Sequence, residues 1–350
     1  MSKTSFILPF TLLLALPLFF FLFTHPVLPP KRLLSSSPNT IDDTSLFRQA
    51  THSTIIVPRG KPKIAFMFLT HTDLHFAPLW QKYFTSSKQK NIQKKLYNIY
   101  VHAYPNFEDK YQSTSVFKDR FIPAKKTERS SPTLISATRR LLATALLDDP
   151  LNYYFALVSE TCIPLHSFSY TYKTLFKSNP TESTRLPARV SYIEVLSDEP
   201  QMWDRYIARG ESVMEPEVPF TEFRVGSQFF ILNRVHSLMV VKDRTLWKKF
   251  RLPCLNVDTC YPEEHYFPTL LSMKDPTRVS KDTLTRVDWT GSVGGHPRTY
   301  DPSEVTPEMI KELRVSNSNT TKVSYLFARK FSPECLPVLM DMADDVIFRD

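Results

Sequence analysis

The chain has 350 residues with 42% hydrophobic and 23% charged positions, a formal net charge of +9, four cysteines and six glycines. That balance excludes a disordered chain and a disulfide scaffold, and its basic sign suits a polyanion, a phosphate ligand or a membrane surface without choosing among them. The few glycines form no G-x-G-x-x-G and no G-x-x-x-x-G-K-[ST], which excludes a Rossmann dinucleotide site and a P-loop.

Phe6 to Phe23 carries no charge. At about 1.5 Å per residue such a run just crosses a bilayer core, and no A-x-A-like small-residue site follows it. The reading is a short cytosolic tail at 1–5 and an uncleaved anchor at 6–23, with everything after it lumenal. Residues 24–62, rich in Pro, Ser and Thr with little periodicity, read as a stem. The body, 63–350, alternates apolar runs with helical stretches. KIAFMFLT, LYNIYVHAY and NYYFALVSE read as buried strands, with a helix capped by Ser131 and Pro132 between the second and third. Further on, GSQFFILN reads as a strand and VHSLMVVKDRTLWKKF as a helix. YPEEHYFPTLLSM reads as a helix entered through Pro262, TLTRVDWT as a strand, and SPECLPVLMDMADDVIF as a last helix. Alternating strands and helices predict an α/β domain with a mainly parallel sheet and a ligand site at the carboxyl ends of its strands.

Several residues could carry chemistry. Glu263 and Glu264 open the helix at Pro262; adjacent side chains diverge on a helix, so at most one faces a given cleft. A carboxylate at a helix start is otherwise a dipole-compensating cap with a lowered pKa. Lys330 ends the apolar run YLFARKF, where an ammonium could reach a phosphate, and Arg298, Arg314 and Arg329 lie near it in sequence. No D-x-D triplet occurs, so the diphosphate of a nucleotide sugar would have to be held by cations rather than by a metal. His71 and His75 lack the acid of H-E-x-x-H and read as loop or core histidines. Cys254 and Cys260 are close enough to tie a loop; a zinc site made with His265 is the sharper alternative on a poor signature. The run from Lys88 to Lys95 reads as a solvated helix face rather than a nucleic-acid contact. Trp289 and Trp203 are candidates for sugar stacking, and Asn319-Thr320-Thr321 is an N-glycosylation sequon.

Seven strings stand in order: KIAFMFLT, YVHAYP, YYFALVSETCIPL, FRVGSQFFILNR, CYPEEHYFPTLL, TRVDWTGSVGGHP and YLFARKFSPE. Together, from about Lys63 to Phe348, they resemble the plant branch of the core-2/I-branching β-1,6-N-acetylglucosaminyltransferases, the glycosyltransferase family 14-like proteins. The resemblance implies a GT-A-like fold, a UDP-sugar donor, a glycan or glycoprotein acceptor, inversion at the anomeric carbon and no metal cofactor, in a type II Golgi membrane protein. The motif P-[DE]-E-H-x-[WF] at Pro262–Phe267 implies that Glu264 is the catalytic base. F-A-[RN]-K-F at Phe327–Phe331 assigns the diphosphate to Lys330, with Arg314 as its companion. His71 and His102 are implied to face the nucleotide. Ser159, Glu160, Gly226, Ser227 and Gln228 are implied to line the cleft, where Trp289 is the aromatic candidate. One departure is Val225, where the plant pattern has Lys before G-S-Q; it favours a rival reading as a non-catalytic carbohydrate-binding protein on the same fold.

Overall fold

The computed structural model describes residues 38–54, 59–86, 93–105, 116–176, 190–292, 295–316 and 324–350. The tail at 1–5, the anchor at 6–23 and the sequon at Asn319 lie outside them. Among the described residues, no helix is long and apolar enough to cross a membrane.

The first element is a helix, α1 (Pro38–Thr51), within the segment read as stem. From Ser45 onward the chain belongs to one compact unit reaching Asp350. Leu46 and Phe47 pack on its core and Ala50 is fully buried. The domain therefore starts well before Lys63. Three apolar residues at helical spacing account for this, a period hidden by the polar residues between them.

Next come β1 (Lys63–Leu69), α2 (Ala77–Thr85), β2 (Tyr97–His102), α3 (Pro132–Asp148) and β3 (Asn152–Ser159). β1 is buried on both faces, as its unbroken apolar run requires of a central parallel strand. Its alternate residues enter two cores: Ile64, Phe66 and Phe68 on one side, Ala65, Met67 and Leu69 on the other. Phe66 meets Trp80, Tyr83 and Phe84 of α2 edge-on, with ring centroids 5.0–6.2 Å apart; burying such a ring contributes about 2–3 kcal/mol. β1 pairs in parallel with β2 and β3, ending with Leu69 beside His102 and Ser159. α3 starts as its sequence predicts: the Ser131 Oγ accepts from Thr133 N, and Pro132 supplies the first turn.

The chain continues through β4 (Ile163–Pro164), α4 (Phe168–Phe176), β5 (Ser191–Glu194), α5 (Met202–Ile207), β6 (Ile231–Asn233), α6 (Arg234–Lys242) and α7 (Thr245–Phe250). It closes with α8 (Pro262–Lys274), β7 (Val279–Lys281), β8 (Thr285–Val287), β9 (Phe327–Arg329) and the terminal α10 (Leu336–Asp341), with α9 (Pro307–Arg314) between β8 and β9. Strands of the main sheet lie in the order β2-β1-β3-β6-β5-β7, and a smaller sheet has the order β4-β9-β8. Pairs β2-β1, β1-β3 and β5-β7 are parallel; β3-β6 and β6-β5 are antiparallel. The sheet is thus mostly parallel but mixed, and the α/β arrangement fits a GT-A-like domain.

The stretch read as one helix after Asn233 is two. Asp243 breaks it, its carboxylate accepting from the backbone N–H of Thr245, Leu246 and Trp247 to start α7. The strand read over GSQFFILN is limited to Ile231–Asn233, because Gly226 to Phe229 runs beside α8 instead.

Candidate active site

Tyr261 precedes α8 with left-handed backbone, φ 34° and ψ 59°. A tyrosine adopts it only where its surroundings over-determine it. Here the ring lies under two guanidinium groups, Arg205 at 5.2 Å and Arg129 at 5.7 Å. Just upstream, Cys254 and Cys260 form a disulfide, and the loop they close is pinned to the end of α5 by Leu255 N and Asn256 N donating to Ala208 O. The zinc alternative is excluded by that bond, and His265 is instead buried with its Nδ1 at 2.8 Å from Arg224 O. Disulfide and tyrosine together fix where the two acids of α8 point.

They point apart. Glu263 is 4% exposed, and its Oε1 accepts from Ser130 N at 3.0 Å. Burial pushes this carboxyl up to about 7. The expected solvated, pKa-lowering cap is therefore not what the helix start provides; the loop at 128–131 covers it. Glu264 keeps 28% of its side chain exposed, and Arg205 Nη1 lies 3.3 Å from its Oε2. Burial raises the Glu264 carboxyl, while Arg205, Arg129 and Arg329 pull it back down. An accessible carboxylate of raised basicity on a rigid helix can take a proton from a bound hydroxyl.

The segment Arg224–Phe229 runs along α8. Gly226 N donates to Glu264 O at 2.9 Å, and Ser227 N to Glu194 Oε2 at 2.9 Å. At Gly226 an added Cβ would stand 2.0 Å from Glu194 O, so only glycine fits the approach. The Gln228 Oε1 is buried without a hydrogen-bond partner among the described residues. Val225, by contrast, is buried in the core and bridged by backbone to Leu196. Its side chain belongs to the packing, which accounts for an apolar residue at this position.

A second group gathers at the carboxyl ends of β1, β3 and β9. The His71 Nδ1 lies 3.0 Å from Glu160 Oε1, a hydrogen bond that raises the imidazole pKa against burial and Lys330. Ser159 Oγ contacts Thr161 Oγ1 at 3.0 Å and Cys162 Sγ at 3.2 Å, closing the end of β3. The ammonium of Lys330 lies 2.9 Å from His296 Nδ1. The other ring nitrogen of His296 meets Arg129 Nη1, and Arg129 Nη2 donates to Gly295 O at 2.8 Å. Arg329 sits over the Phe229 ring at 4.2 Å and lies within the fields of both Glu160 and Glu264. Burial, then Arg329 and Arg129, lower the Lys330 ammonium to about 8.

Two sequence assignments are corrected. His102 is fully buried, its Nε2 3.2 Å from Arg140 Nη1, and burial drives its pKa down to about 3. It is a neutral core histidine, because the last residue of β2 points inward. Arg314 donates to the carbonyls of Leu165, Val346 and Ile347, which spends its guanidinium on closing the C-terminus. The cations that act on Lys330 are Arg329 and Arg129. Arg298 is turned to Glu304 and Asp288. Trp289 stands 50% exposed after β8, and Trp203 54% exposed on α5. Among the described residues, no three His, Cys, Asp or Glu side chains are grouped to hold a metal ion.

A helix-borne carboxylate within the field of several cations, on an α/β sheet, is the arrangement the sequence strings imply. A family model for the Core-2/I-Branching enzyme matches residues 64–314. The chain belongs to the Core-2/I-Branching enzyme family. It is also 26% identical over 333 residues to Glycosyltransferase BC10 of Oryza sativa subsp. japonica, an alignment covering 82% of this chain and 78% of that one. This Core-2/I-Branching protein is a glycosyltransferase. Arg129, Arg205, Glu194 and His296 are the parts of its site that sequence reading missed. None lies in a recognisable motif except His296, which stands in the string TRVDWTGSVGGHP.

Proposed function

We propose that the chain moves a sugar, N-acetylglucosamine or a related residue, from a UDP-sugar to a glycan hydroxyl with inversion at C1. Glu264 takes the proton of the acceptor hydroxyl as the acceptor oxygen bonds to C1. The bond from C1 to the diphosphate oxygen breaks with its electron pair, and UDP leaves. Such a base contributes roughly 10²–10⁴-fold to the rate. Lys330, Arg329 and Arg129 hold the diphosphate and stabilise the charge that grows on it, so no metal cofactor is needed. Each such donor contributes on the order of 3 kcal/mol to the transition state.

One observation carries this reading: Lys330 and Arg129 converge on His296 beside Arg329, within the field of Glu264. Arg129 acts on both Glu264 and Lys330 and links base to pocket. A pocket in which cations depress one another's pKa favours an anionic guest. The test is UDP release by the full chain from a panel of UDP-sugars and glycan acceptors, with linkage analysis of the product. A protein that binds glycans but releases no UDP with any pair belongs to the non-catalytic class.

The same reading places the chain in the Golgi membrane as a single-pass type II protein. It is supported by the uncharged run at 6–23 and by a disulfide, which persists in oxidising compartments. Protease protection of a C-terminal tag in intact microsomes is expected, and digestion without detergent contradicts it.

A further inference from the structure

We propose that His296 is a diphosphate-binding residue that takes up a proton when the donor arrives, a role that rests on the reading of this cleft as a nucleotide-sugar site. The argument begins with donors and acceptors. Lys330 Nζ faces one ring nitrogen of His296 at 2.9 Å, and Arg129 Nη1 faces the other. Both are cationic and can only donate. A neutral imidazole has one lone pair in the ring plane, so it satisfies one of them and presents an N–H to the other. An imidazolium satisfies neither.

No acid compensates. From the loop before α3 comes Arg129, and from the end of β9 come Lys330 and Arg329; Tyr261 approaches from the head of α8, its hydroxyl beside Gly295. Of the acids nearest in sequence, Asp301 caps the turn at Pro302–Glu304, and Asp288 and Glu304 are turned to Arg298. Glu160 is engaged by His71. Partial desolvation, then the three cations, hold the His296 pKa below its ordinary value, so the free protein keeps this ring neutral. The ring is solvent-exposed, open to a ligand.

A diphosphate inverts the local charge. Lys330 and Arg129 gain oxygens to donate to, and the field at His296 turns favourable to a proton. A buffer acid gives up that proton as one N–H bond forms on the ring, and no other bond changes. The sign follows by linkage. The pKa is low in the free protein and raised in the complex, so affinity for the anion rises as pH falls through the complex's value. It levels off below the free protein's value.

The experiment is calorimetric titration of the full chain with UDP at pH 6.5, in two buffers of different ionisation enthalpy, for wild type and His296→Asn. UDP's own protonation is common to both proteins, so the difference in uptake belongs to His296. The expected result is an excess of several tenths of a proton in wild type, with UDP bound roughly 3–10-fold more weakly by the variant at that pH and about equally at pH 8.5. Histidine-ring NMR of wild type checks the same point without a substitution, through a His296 pKa that rises when UDP is added. UDP binding with equal uptake in both proteins, or a ring pKa that does not move, overturns the inference and leaves the diphosphate site standing. Failure of the wild-type protein to bind UDP overturns the reading of the cleft, and the inference with it.

Discussion

Arg205 Nη1 lies 3.3 Å from Glu264 Oε2, so the carboxylate at the head of α8 is held by a cation reaching it from α5, 59 residues earlier in the chain. The contact gives Glu264 one orientation and offsets part of the effect of burial on it. Arg205 is itself seated on Tyr261, whose left-handed backbone begins the helix. Base, partner and helix start are therefore one unit, and disturbing any of them should be read in the pH dependence of the rate.

Arg205→Gln tests that unit. Arg205 favours the charged carboxylate, so without it burial raises Glu264 further. A base that works ionised then fails as pH falls through the higher value. The acid limb of kcat/KM should move up by about one pH unit, with the rate at pH 8 within about threefold of wild type. An unmoved limb would show that Arg205 does not tune the base.

Lys330 carries the alkaline limb. Its ammonium is lowered to about 8, and donor capture needs it charged. The kcat/KM for the donor should therefore fall as pH rises through that value, and Lys330→Arg, charged throughout, should abolish the fall. Lys330→Ala should cost about 10²-fold in kcat/KM with little change in Tm, and EDTA should leave wild-type turnover intact. Activity lost to EDTA and restored by Mn²⁺ contradicts the cationic account of the diphosphate.

Glu263 makes a stability prediction. Its folded value, about 7, lies above the ordinary 4.5, so the native chain holds a proton that the unfolded chain lacks. Wild-type stability should fall as pH rises from about 4.5 to about 7 and level off above. Glu263→Gln cannot ionise, so its Tm should vary less across that window. Equal slopes in melts of the two proteins would mean that Glu263 is not buried as described.

Much of the fold was legible because it is local. The runs that became β1, β2 and β3, the cap of α3 at Ser131 and the start of α8 at Pro262 each announce themselves within a few residues. Glu264 and Lys330 stood out through motifs of similar length. Their partners did not, since Arg205 reaches Glu264 only through the packing of α5, and Arg129 reaches His296 across 167 residues. Nearness in sequence also misled. Arg314 is drawn into α9 and spent on the C-terminal carbonyls, and His102 ends a strand with its ring turned inward. Burial of Glu263 depends on a loop 133 residues away, which no reading of the α8 segment could supply.

The most direct measurement is the kinetics of Glu264→Gln beside Glu263→Gln, with matched melts and donor-binding curves. Glutamine keeps the shape of the Glu264 side chain and its contact with Arg205 but accepts no proton at neutral pH. Turnover of Glu264→Gln should drop by roughly two to four orders of magnitude with UDP-sugar binding close to normal, while Glu263→Gln keeps most of its turnover. An active Glu264→Gln, or equal losses in the two variants, would contradict the assignment of Glu264 as the base.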